Sequence, residues 1–160
     1  MTHDVRPVDL PLLDPLTPEQ TAYAAHLHAR LRAHRGDWGH WEGGKPGPDG
    51  ALTAHRVVLA PIATETHDWL LSSGVLPVFD WVAWPAKRDL VRGDAAALEP
   101  DLARALLTAL VLQDHSCDGS LLGAFRHGII TDLLGVIGSD PSPAAPELDE
   151  GLHPRVLEPI

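Results

Sequence analysis

Between residues 100 and 113 the chain is apolar on nearly every side of a helix. Leu102, Ala103, Leu106, Leu107, Ala109, Leu110 and Val111 are interrupted by Asp101, Arg104 and Thr108, which form a single polar stripe. Such a pattern predicts a helix buried on most sides. Asp118 then reads as the N-cap of a helix over 119–127 with Leu121, Leu122 and Phe125 inward, and Gly128 suits the left-handed position after a helix end. Ile129, Ile130, Leu133, Leu134 and Ile137 complete a last helical face before Gly138.

Upstream, Thr17-Pro18-Glu19-Gln20 is a helix start. Thr17 is the N-cap, Pro18 stands where a missing N–H costs nothing, and Gln20 holds the capping-box position. Tyr23, Leu27 and Leu31 recur at i, i+4, i+8, so the helix runs to about His34. Arg56 to Ala60 predicts a short strand stopped by Pro61, and Val75 to Phe79 a second, at a sheet edge because of Pro77. Thr64 caps a helix that stops at Gly74. Asp80 caps a turn that places Trp81 and Trp84 on one side, and Pro85 starts a helix over about 86–91.

Residues 35–54 carry glycine and proline without period and predict a long loop, a class that tends to be functional or mobile. Trp38 and Trp41 inside it argue against simple disorder. Residues 1–16 and the acidic, proline-containing 139–160 read as a flexible arm and a flexible tail. The expectation is a mainly α fold: one compact helical domain over 17–138 with a small two-stranded β element and disordered termini.

Charge narrows the partners. The formal net charge is −10, and the two ends carry more than half of it, so much of the acidity is a solvated feature. Nucleic-acid affinity rests on neutralising phosphates with Lys and Arg, and no basic helix is present, so no nucleic-acid partner is expected. No apolar run approaches a membrane span and no secretory leader is visible, so a soluble cytoplasmic protein without a membrane partner is the expectation. Cys117 is the lone cysteine, which excludes an intrachain disulfide.

The densest reactive cluster is Asp114-His115-Ser116-Cys117-Asp118. A cysteine nucleophile needs a nearby base and gains from a helix N-terminus. In a hydrolase reading His115 is the base, Cys117 the nucleophile and Asp118 the orienter. Against it, neighbouring side chains diverge and Asp118 has a capping role. Of ten histidines, His26 and His28 point about 200° apart on a helix, whereas His40 lies near Asp37 and Glu42. No metal-ligand spacing is recognisable, and no metal or cofactor is expected. Trp81 and Trp84 read as core or as a stacking platform, and Trp38 and Trp41 as a pocket lid or a loop plug. The leading expectation is a non-catalytic protein- or small-ligand-binding module using Trp38, Trp41, Trp81, Trp84 and Asp114. The alternative is the small hydrolase, or a metal-dependent version of it, around 114–118.

Residues 75–137 resemble a small, widely distributed bacterial family known as a domain of unknown function. Four segments carry the likeness: Phe79-Asp80-Trp81-x-x-Trp84, Leu106-Leu107-Thr108-Ala109-Leu110-Val111, Asp114 to Gly119, and Phe125-x-x-Gly128-x-Ile130. The family's polar turn usually holds arginine and phenylalanine where this chain has His115 and Ser116, and a basic residue is common at the position of Leu112. The resemblance implies a fold and domain limits, and no activity.

Overall fold

A computed structural model describes residues 13–44, 46–51, 55–84, 86–113 and 119–139. Its elements in chain order are α1 (Pro18–Ala33), β1 (Gly39–Glu42), β2 (Arg56–Leu59), α2 (Pro61–Ser72), α3 (Lys87–Arg92), a 3-10 turn (Ala95–Ala97), α4 (Pro100–Gln113), α5 (Ser120–Arg126) and α6 (Ile129–Gly138). The fold is mainly α with one two-stranded antiparallel sheet.

The capping box of α1 forms as its sequence requires. Thr17 Oγ1 accepts from the Gln20 N–H at 3.1 Å, and Gln20 Oε1 accepts from the Thr17 N–H at 2.9 Å. Two of the orphan donors at the helix start are thereby satisfied. Ala24, Leu27 and Leu31 form the buried face.

α4 is the central helix. Ala103 to Val111 are all buried, and the apolar faces of α5 and α6 close over it through Leu121, Phe125, Ile130, Leu133, Leu134 and Ile137. Asp101 of the polar stripe is exposed, but Arg104 and Thr108 do not face water. Arg104 is only 5% exposed and Thr108 1%. Arg104 Nε donates to the Val75 carbonyl at 2.9 Å and Nη1 to the Asp14 carbonyl at 2.7 Å, while Thr108 Oγ1 returns to the Arg104 carbonyl at 2.8 Å. A buried guanidinium is tolerated when its N–H groups find acceptors, and here the loop after α2 and the stretch before α1 supply them. The order begins upstream of Thr17, since Leu16 is buried.

α1 and α6 run antiparallel in near backbone contact. A Cβ built on Gly138 would lie 2.6 Å from the Ala25 nitrogen, and one on Gly135 would lie 2.7 Å from His28 Cε1. Only glycine permits that approach. α2 docks on α1 through side chains: Tyr23 and Trp69 rings lie 5.0 Å apart, Arg30 pairs with Glu65 at 2.7 Å, and Gln20 Nε2 donates to the Ser73 carbonyl at 2.6 Å.

Two local expectations are corrected. The strand partner of β2 is β1, with Gly39 opposite Leu59 and Glu42 opposite Arg56; it arises inside the segment read as loop, and residues 75–79 form no strand. The carbonyl of Val75 instead serves Arg104. α2 starts at Pro61 after Ala60, not at a Thr64 cap, because Pro at the first helical position already presets the backbone. The Asp118 cap lies outside the described residues, and α5 follows Gly119.

Candidate functional site

A cleft of about 600 Å³ opens where α1 crosses α6 and the 3-10 turn leads into α4. His28 and Arg32 reach it from α1, one helical turn apart on the same face. Asp132, Gly135 and Val136 reach it from α6, Ser139 lies at its edge, and Ala96, Leu98 and Pro100 form an apolar wall.

His28 is fixed on two sides. Its Nδ1 lies 2.8 Å from the Thr131 carbonyl oxygen, and its ring lies over Gly135. A carbonyl can only accept, so Nδ1 carries the proton. A carbonyl oxygen has two lone pairs, so Thr131 can serve the ring without leaving its helix. Arg32 belongs to the last turn of α1 and Asp132 to the first turn of α6. Each charge complements its helix dipole, and among the described residues neither forms an ion pair. Ser139 Oγ donates to the Gly135 carbonyl at 2.7 Å.

The tryptophans are distributed over the molecule. Trp38 stacks on Phe125 at 5.7 Å and meets His34 at 4.4 Å. Trp41 lies in β1, faces the His55 ring at 4.2 Å, and rests its six-membered ring on Gly119. Trp84 is buried, edge-on to Phe79. Trp81 is half-buried with Lys87 Nζ over its ring at 5.7 Å. Asp80 caps the turn between them, accepting from the Ala83 N–H at 3.2 Å. Trp38 and Trp41 thus tie the hairpin to α5, while Trp81 and Trp84 belong to the segment before α3. Asp114, His115, Cys117 and Asp118 lie outside the described residues.

The hairpin has its own electrostatics. Arg126 grips Asp37 with two bonds, Nε to Oδ1 at 3.1 Å and Nη2 to Oδ2 at 3.0 Å, and also donates to the Gly39 carbonyl. That guanidinium, helped by the Trp38 N–H, holds the Asp37 carboxyl below its ordinary range. Glu42 is held low by His40 first and Arg56 second. The expected grouping of Asp37, His40 and Glu42 does not form, because Asp37 is committed to Arg126. Among the described residues no three of His, Cys, Asp and Glu gather where a metal ion would fit.

Sequence reasoning missed His28, Arg32, Asp132 and Ser139 as neighbours. His28 was legible only as half of a divergent His26-x-His28 pair. The usable signal was the Gly135-x-x-Gly138 spacing in an otherwise apolar helix, which marks a close helix approach.

Among the described residues, no single helix is long and apolar enough to cross a membrane; α5 and α6 reach the required composition only together, across a 72° bend. Residues 16–138 match the model of DUF6508, a family of unknown function. No curated protein and no solved structure matches the chain.

Proposed function

We propose, for a chain that belongs to this family of unknown function, that it is a non-catalytic binding module whose ligand occupies the cleft between α1 and α6. One observation carries the reading: His28 is held by Thr131 and Gly135 at the wall of the cleft, beside Arg32 and Asp132, which among the described residues form no ion pair. A concave, partly apolar site with a few convergent polar groups is the usual form of a small-molecule site.

The test is a panel of small anionic, cationic, zwitterionic and neutral compounds added to the full chain, with the His28 imidazole and Gly135 amide followed by NMR. Ligands should shift both signals, and Gly135→Ala, which pushes the ring aside, should abolish the response while the protein stays folded. Hits that all map elsewhere, or survive Gly135→Ala unchanged, overturn the reading.

A second surface is favoured by Val78, 97% exposed, and Val82, 76% exposed, on either side of Trp81. Exposed large apolar side chains in one short turn mark contact surfaces, and a protein partner is the chemistry they suit. Val78→Ser with Val82→Ser should leave stability unchanged and remove such a contact; a partner retained by the double variant argues against it. The hydrolase alternative rests on Cys117 with His115 and Asp118. It requires thiol alkylation well below the ordinary cysteine pKa of about 8.5.

A further inference from the structure

We infer that the ligand class of this cleft is a small zwitterion with an aliphatic body, its carboxylate on Arg32 and its ammonium on Asp132; the inference rests on the cleft being the binding site. Arg32 and Asp132 are opposite charges lining one cavity, yet they form no ion pair with each other. The antiparallel contact explains the arrangement. Ala25 meets Gly138 and His28 meets Gly135, so one turn further along α1, Arg32 comes level with the start of α6, where Asp132 stands. The two opposite charges therefore line one cleft from two neighbouring helices.

Each charge is already favoured by its own helix terminus, so neither needs a protein partner to remain ionised. A ligand carrying both signs replaces water at both with charge-assisted hydrogen bonds, the stronger kind. Leu98, Pro100 and Val136 offer the apolar contact for the body. Arg32 and Asp132 carry opposite charges and offset each other in the cleft. On a chain of formal charge −10 a simple anion is repelled at long range, whereas a net-neutral zwitterion is not.

The test uses L-leucine, N-acetyl-L-leucine and L-leucinamide as probes of the full chain, with binding read from the His28 imidazole resonances and by calorimetry. Leucine should bind, and removing either ligand charge should weaken binding at least tenfold, the size of one charge-assisted hydrogen bond. Arg32→Gln should erase the difference between leucine and leucinamide, and Asp132→Asn that between leucine and N-acetyl-leucine. Both side chains are exposed, so the melting temperature should not move. If all three probes bind alike, the cleft is a binding site and the charge assignment is overturned. If none of them moves His28 while the broader panel yields hits there, the zwitterion is overturned alone; if neither does, both readings fail.

Discussion

Gly138 and Ala25 touch backbone to backbone, with 2.6 Å between a Cβ placed on Gly138 and the Ala25 nitrogen. Alanine for glycine in a helix normally gains up to about 1 kcal/mol. Here the clash is with main chain and cannot be relieved by a rotamer change. Gly138→Ala should destabilise by about 2 kcal/mol or more, as overpacking does, measured by urea unfolding. Gly123 lies mid-helix in α5 with nothing within 4 Å of its Cβ position. Gly123→Ala should stabilise by about 0.5–1 kcal/mol. Equal effects at the two sites would contradict the close α1–α6 approach.

Gly119 combines a positive φ of 97° with a Cβ position 2.5 Å from the Trp41 ring. Gly119→Ala should cost about 1–2 kcal/mol from the backbone alone and more from the indole. In a Trp41→Ala background only the backbone part should remain. The loss in the double variant should therefore be smaller than the sum of the two single losses, and simple additivity would mean that the indole does not rest on this glycine.

Arg104→Met keeps the stem of the side chain and removes its donors. The carbonyls of Val75 and Asp14 lose their partners, each at about 1–3 kcal/mol when buried. A loss of about 3 kcal/mol is expected in chemical denaturation. A neutral outcome would show that both carbonyls are reached by water.

The Asp37 carboxyl titrates below its ordinary value of 3.8, chiefly because Arg126 hydrogen-bonds to it. A depressed folded pKa adds stability that is complete above the unfolded value and disappears as pH falls through the folded one. Hairpin docking, followed by Trp38 fluorescence against Phe125, should hold at neutral pH and loosen as pH falls below about 3.8. Asp37→Asn should flatten that acid transition. An unchanged transition in Asp37→Asn would assign it to another carboxylate.

Much of the helical scaffold was legible because its signals are local. The Thr17 capping box, the apolar run of 102–111 and the Gly128 stop each act within a few residues of themselves. The β1 strand was not, since Gly39-His40-Trp41-Glu42 has no alternation of its own and becomes a strand only by pairing with 56–59. The burial of Arg104 was not legible, because an arginine on a helix says nothing about whether carbonyls from distant loops will meet it. The cleft was invisible for the same reason: His28, Arg32 and Asp132 become neighbours through a helix crossing between segments about a hundred residues apart.

The bond from Arg104 to the Asp14 carbonyl has a practical consequence for where this domain can be cut. The family match opens at residue 16, but a fragment starting there would strip an acceptor from a guanidinium at the centre of the molecule. A shortened version that keeps Leu13 and Asp14 should melt higher than one beginning at Leu16, whose middle helix loses the acceptor that those few residues supply.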